Sequence, residues 1–569
     1  MPIVINSKFR VKSNFCPVNK FGVSYKYDIR CDGRKCGETC ECGGKGIRHV
    51  QMLKPHQIPV VEWMIEREAN PISEVRGGIN AMEMGLGKTL CTLTLIMRDY
   101  SFKDNRPEYP TLIVCPVSGI LTWQEQIEKF FGVSCPHLIL YKNKKINSLS
   151  LDDIKKYKIV IINYETVRSI ATKNNIYDSI INYDYRGRKS GVFPCKCPLE
   201  SDVKSGASII FNIPWTRIVA DEGHKFNNPT SALFYSMMSL YSKYKWTLSG
   251  TPLRNYSTDL YSQFRFLGFN KIFNSRDFSV DVYNKNKLNE CILYMTKEDA
   301  DIVLPDKKVE TIDIELENTE REFYDHFLTK TKHAINLLLS KRANFSDVLA
   351  LFLRLRQTCV ASNSILYNIS DHNEFFENNM SNLEDRFQDW ISDVNSSAGI
   401  NSSKIKATMK IIQNIPQDEK IIIFTTFKGN ISILEKALKI NFPEIDYEVV
   451  NGAVTGDSRK SALERFKNIS SKRVLLLSYG VGSESLNITE ASNIILLETV
   501  WTPSIIDQAS SRSHRVGQSK NVIIYKLIAK NTIEERMETI CQNKRELFNK
   551  FISKKSDGLT TDMIINLVK

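Results

Sequence analysis

No stretch of the chain approaches the roughly eighteen uncharged apolar residues that a membrane-spanning helix requires, which excludes a helical membrane protein. The N-terminal MPIVINSKFRVKSNF offers only a short apolar patch interrupted by charge, too little for a secretory leader. No motif recurs with a period of about 20–50 residues, so a solenoid is not expected. Acidic residues are in deficit: 64 Asp and Glu face 77 Lys and Arg, and the net charge of +13 favours polyanionic partners without proving a nucleic-acid one. The 13 cysteines are odd in number, and without a leader they read as reduced thiols or metal ligands rather than a disulfide framework. An intracellular protein is expected.

What is present has an α/β pattern. The 569 residues leave room for roughly two to four domains. Short β-branched runs alternate with amphipathic stretches: TLIVCPVS from Thr111, KIVIINYE from Lys158, TRIVADE from Thr216, KIIIFTTF from Lys420, RVLLLSYG from Arg473 and NIILLET from Asn493. Continuous apolar runs of this length are how parallel strands covered on both faces read. They fall into two groups and predict two parallel-sheet lobes in tandem, at 50–270 and 401–545. A stretch without periodicity at about 171–208 is expected to be a surface insertion in the first lobe. Residues 271–400 read as a helical region ending in an acidic, Asn/Ser-rich linker. Residues 1–49 form a Cys-rich N-terminal segment, and 546–569 a C-terminal tail.

The first lobe carries AMEMGLGKT at 81–89. It ends as a phosphate-binding loop does, but Met82 stands where the general G-x-x-x-x-G-K-[ST] pattern has its first glycine. Gly85 and Gly87 permit tight turns that aim N–H groups at phosphate oxygens, Lys88 would reach the β- and γ-phosphates, and Thr89 would set a hydroxyl on Mg²⁺. About 130 residues later TRIVADEGH ends in Asp221 and Glu222, one carboxylate suited to holding Mg²⁺ and the other to polarising the attacking water. Ser249 and Thr251 lie in the polar turn of WTLSGTPLRN, suited to sensing the nucleotide. In the second lobe, DQASSRSHRVGQ spaces Arg512 and Arg515 three apart, on one face if helical, where they could act as arginine fingers on a transferred phosphoryl group.

GGINAMEMGLGKT resembles the loop of the SNF2 family of DNA-dependent ATPases, which also lacks the first glycine. The resemblance continues in order through LKPHQ, LIVCPVSGILTWQEQIEKF, INYETVRS, DEGH, LSGTPLRN, LRLRQTC, KIIIFTTF, NGAVTGDSRKSALERF, LLSYGVGSESLNIT, QASSRSHRVGQ and KLIAKNTIEERM, covering about residues 50 to 545. It implies two RecA-like lobes acting on ATP and Mg²⁺ and a motor that moves along double-stranded DNA, generally without separating the strands. It also implies that Gln57 reads adenine, and that Asn487 and Gln508 belong to motifs coupling the nucleotide to movement. Three departures stand out: Ser483 and Ser485 replace usual glycines, Ser511 replaces a usual aspartate, and DEAH is DEGH here. Compact members of this kind occur in large DNA viruses, some coupled to transcription. The resemblance therefore points to RNA polymerase or repair proteins as partners, and to the nucleus, or a viral factory or virion, as the location.

Outside that resemblance, CDGRKCGETCECGG brings Cys31, Cys36, Cys40 and Cys42 together on a Gly-rich loop, an expected Zn²⁺ site whose spacing differs from paired C-x-x-C knuckles, with free thiols as the alternative. Two other functions stay open beside the translocating, remodelling ATPase. One is a strand-separating or annealing helicase, and the other is a nucleotide-gated DNA clamp with little turnover.

Overall fold

The apolar runs form strands whose alternate residues enter opposite faces of a sheet. In TLIVC, Leu112 and Val114 pack on one face with Val160 and Ile162, while Ile113 and Cys115 pack on the other with Ile159 and Ile161. Helices must cover both faces, and the intervening amphipathic stretches supply them. The computed structural model describes residues 26–29, 49–100, 107–141, 148–176, 181–183, 189–192, 209–250, 258–269, 290–340, 345–362, 364, 400–452, 454, 456–482, 488–501, 503–515 and 517–553. The chain passes from one compact unit to a second between Val303 and Leu304.

Strands β1 (Lys26–Ile29) and β2 (His49–Met52) form an antiparallel pair. The first unit's main sheet takes β3 (Gly77–Met82), β4 (Thr111–Cys115), β5 (His137–Ile139) and β6 (Ile159–Asn163). A hairpin, β7 (Ile181–Tyr183) with β8 (Lys189–Val192), lies apart from that sheet within the stretch read as an insertion. Then come β9 (Trp215–Asp221), β10 (Ser242–Leu248) and β11 (Ile292–Met295). Their order is β11-β3-β10-β9-β4-β6-β5, with every neighbouring pair parallel.

The second unit orders β12 (Lys307–Ile314), β13 (Lys420–Thr425), β14 (Asp446–Val450), β15 (Lys472–Ser478), β16 (Ala491–Leu496) and β17 (Val522–Ala529) as β12-β17-β16-β13-β15-β14, again all parallel. Two parallel α/β lobes are therefore present, as the sequence pattern predicts. The stretch 271–400 contains helices Asn318–Leu339 and Phe345–Thr358, which pack on each other, but it also gives β11 to the first sheet and β12 to the second. Both are edge strands. KKVETIDI exposes most of its side chains, so it lacks the continuous apolar run that marks its neighbours.

A buried polar cluster braces the first sheet at the opposite end from its functional edge. The Arg217 guanidinium, on β9, donates to both carboxylate oxygens of Glu68 at 2.6 Å and to Asp99 at 2.9 Å, while the Trp246 indole donates to Glu68 at 2.8 Å. Burial alone would pull the Arg217 pKa down, but the two carboxylates more than offset it and keep the guanidinium charged. Helices Gln57–Ala69 and Lys88–Asp99 are thereby tied to β9 and β10.

Candidate nucleotide-binding site

Three neighbouring strands, β3, β10 and β9, end on one edge of the first sheet, and each hands the chain to a polar turn. The carboxyl edge of a parallel sheet is where such folds bind ligands. After β3 the backbone turns through Gly85 (φ +90°) and Gly87 (φ +93°), conformations that a Cβ opposes. Helix Lys88–Asp99 then starts without a side-chain cap, so its first N–H groups keep their donors for an anion. A Cβ on Gly87 would also lie 2.2 Å from Nε2 of Gln57.

Gln57 is buried beneath this loop. Its Oε1 accepts from the Lys54 N–H at 2.9 Å and its Nε2 donates to the Leu86 carbonyl at 3.0 Å, an oxygen that His56 Nε2 also meets at 3.0 Å. The amide that the resemblance assigns to adenine is thus engaged with the chain itself and braces the loop. Lys88 donates to the Met82 carbonyl at 2.8 Å, and a Cβ on Gly250 would come within 3.5 Å of its Nζ. The lysine lies between its own loop and the turn after β10, with Thr89 next along the first helical turn.

At the end of β9, Asp221 is held from three directions. Its Oδ2 accepts from the Trp123 indole at 2.8 Å, its Oδ1 from the Glu222 N–H at 3.0 Å, and its carbonyl from the Tyr164 hydroxyl at 2.6 Å. Burial and the Glu222 charge push its pKa up to about 6, against the pull of the Trp123 hydrogen bond and the Lys88 charge. Glu222 follows in a left-handed conformation, φ +53°, which costs a non-glycine residue about 1 kcal/mol or more. Its Oε2 lies 3.2 Å from Nδ1 of His224, and that nitrogen lies 3.4 Å from Oγ of the fully buried Ser249. His224, two residues past Glu222, thus reaches across to the turn after β10 through Ser249. A Cβ on Gly223 would meet the Thr247 side chain at 3.1 Å, so glycine in place of the usual alanine fits the bulk of Thr247.

In the second unit the arginines do not share a helical face. Helix Pro503–Ser510 ends before them, and Arg512 and Arg515 lie in the turn that follows. Ser510 and Ser511 bond to the main-chain carbonyls of Asp507 and Gln508, which competes with further helix. The turn is fixed at the amino ends of strands: the Ile488 N–H donates to the Arg512 carbonyl at 3.1 Å, the Gln518 amide to Thr489 and Ala491 at 3.0 Å, and His514 Nε2 meets the Pro305 carbonyl at 2.8 Å. Arg512 is buried. Burial lowers the pKa of Arg515, whose guanidinium has no carboxylate partner among the described residues. Gln508 is buried with neither amide atom hydrogen-bonded among the described residues.

Thr251, Asn487 and the cysteines 31, 36, 40 and 42 lie outside the described residues; among the described residues no group of three or more His, Cys, Asp or Glu could hold a metal. No helix among them is long and apolar enough to cross a membrane. Trp123 is the contact that sequence reading misses. A tryptophan in an amphipathic helix reads as core, and only its need for an acceptor, opposite a strand ending in Asp, signals more.

The SNF2-related domain matches residues 56–364, and the helicase conserved C-terminal domain matches 403–517. The 172L protein of Invertebrate iridescent virus 6, named as a helicase, is 31% identical over 90% of this chain and 92% of its own length. The CHD3-type chromatin-remodeling factor CHR7 of Arabidopsis thaliana is 28% identical over 86% of this chain, which spans only 37% of that relative. The solved Sulfolobus solfataricus SWI2/SNF2 ATPase core in complex with dsDNA is 22% identical, covering 91% of this chain and 95% of that one with a TM-score of 0.37. With more than half of its residues inside the first match and a near-full-length viral relative, the chain belongs to the SNF2 family and is a helicase-like ATP hydrolase.

Proposed function

We propose that the protein uses ATP and Mg²⁺ to translocate on double-stranded DNA and to displace or remodel protein bound there. The observation that carries this reading is the convergence of the glycine loop, Lys88, the Asp221–Glu222 turn and Ser249 on one sheet edge. The site fits the group: a positive-φ loop, an uncapped helix start and a lysine suit a triphosphate, and a half-buried carboxylate at the end of β9 in the same sheet suits Mg²⁺. In this reading the loop amides and Lys88 bind the phosphates, and Thr89 and Asp221 hold the metal, which neutralises phosphate charge. Glu222 orients water and takes its proton. Arg512 and Arg515 stabilise the charge that develops on the transferred phosphoryl group, a role for which Arg515, partly desolvated and with no carboxylate partner among the described residues, is suited. Gln57 contacts adenine by exchanging one of its loop bonds. Ser249, Thr251, Asn487 and Gln508 couple the nucleotide state to DNA, and RNA polymerase or repair proteins in the nucleus or a viral factory are the partners.

Glu222→Gln is expected to keep ATP binding while lowering turnover by at least about 100-fold, read by phosphate release beside nucleotide-binding fluorescence. A triplex-displacement assay tests movement: ATP-dependent release of a third strand from intact duplex supports translocation. Separation of the duplex strands would favour the helicase reading, and hydrolysis without release of any strand would sink the motor.

A further inference from the structure

Asp221 is seated by residues from outside its own strand. Trp123 lies on helix Val117–Phe130, which follows β4, and Tyr164 opens helix Tyr164–Lys173, which follows β6. β4 neighbours β9 and β6 neighbours β4, so the two helices after them flank the end of the strand that carries Asp221.

A buried indole N–H needs an acceptor. The Trp123 ring is 1% exposed, and the acceptor it takes is one carboxylate oxygen, at 2.8 Å, rather than a main-chain carbonyl. The other oxygen takes the Glu222 N–H, and the residue's own carbonyl takes the Tyr164 hydroxyl. A carboxylate offers about four lone-pair sites. One donor on each oxygen therefore fixes the plane of the group and still leaves lone pairs for a cation.

We propose that Trp123 is a positioning residue for the ATPase reaction, its indole N–H fixing the Asp221 carboxylate in the orientation that receives Mg²⁺. The inference rests on the proposed role of Asp221 as the metal-holding carboxylate. Packing alone does not account for the contact: a phenylalanine would fill most of the same apolar space, but would leave Oδ2 without its donor. The bond is charge-assisted, hence stronger and more directional than one between neutral groups. Outer-shell donors of this kind typically alter metal affinity by about 10–100-fold. Tyr164 acts on the main chain of the same residue, so its hydroxyl seats the strand end while Trp123 sets the side chain.

The test is Trp123→Phe in the full chain, with Asp221→Ala as the reference. The reading is binding of a fluorescent ADP analogue as Mg²⁺ is titrated, beside binding of the same analogue in EDTA and a melting curve. Trp123→Phe is expected to need about tenfold more Mg²⁺ for half-maximal tightening of nucleotide binding, with affinity in EDTA and melting near wild type. Should the phenylalanine variant melt early, replacing Trp123 site-specifically with benzothienylalanine removes the N–H from a ring of nearly the same shape, and the same tenfold shift is expected. Wild-type Mg²⁺ dependence in a folded Trp123 variant, while Asp221→Ala shifts it, overturns the role of Trp123 alone. Wild-type Mg²⁺ dependence in Asp221→Ala overturns the metal role of Asp221 and this inference with it.

Discussion

Lys88→Ala is expected to lower ATP turnover by at least about 100–1,000-fold, the scale of losing one charged donor that stabilises a transition state. Lys88 closes the loop: its ammonium donates to the Met82 carbonyl and lies beside Gly250 in the turn after β10. The side chain is half-buried and donates to the Met82 and Glu83 carbonyls at 2.8 and 3.4 Å, and without its charge Asp221 takes up a proton more readily rather than standing as a buried charge. Melting should therefore stay within a few degrees of wild type. Loss of turnover with an intact fold identifies a chemical role; turnover that survives would remove the loop from the mechanism.

The largest expected effect on stability lies in the second unit. Lys404 is fully buried, and its ammonium donates to Glu534 at 2.6 Å, to the Leu497 carbonyl at 2.8 Å and to the Leu527 carbonyl at 3.2 Å. Glu534 also accepts the Ala529 N–H at 2.9 Å. The pair joins helices Ser403–Asn414 and Ile533–Ser553 to the carboxyl ends of β16 and β17. Lys404→Ala strands a buried carboxylate, at a cost of about 3–5 kcal/mol, which in a unit of this size lowers the melting temperature by on the order of 10 °C. The double replacement Lys404→Met with Glu534→Leu should recover most of that loss, because two apolar side chains of similar volume leave no charge unpaired. Calorimetry of the three proteins checks both halves; a single variant that melts like wild type would show that the pair contributes little.

The strands legible in the sequence are the central ones. TLIVC, IVIIN, KIIIFT and ASNIIL are apolar on both faces because helices cover both faces, so each reads as a continuous run. β3 and β10 are as central but do not read that way. GGINAM opens on two glycines, where a Cβ on Gly77 would strike the Lys245 carbonyl at 1.8 Å. SKYKWTL opens on Ser242, an exposed Lys243 and partly buried Tyr244 and Lys245 before its last three residues enter the core. The nucleotide loop and the Asp-Glu turn were legible because phosphate and metal chemistry restrict the residue types at fixed spacings. The arginine turn was legible in residue type but not in conformation: three-residue spacing suits a helix, yet the helix ends at Ser510, before either arginine. Long-range contacts left no local trace at all: neither the Trp123 bond to Asp221, 98 residues away, nor the seat of His514 on Pro305, 209 residues away, follows from any periodicity.

The measurement that bears most directly on the central claim is ATP turnover by the full chain with and without duplex DNA, repeated across a salt series. Turnover that rises on adding duplex, and returns toward its basal rate as salt screens the phosphate contacts, is the predicted result. Hydrolysis that is indifferent to duplex at every salt concentration would contradict it.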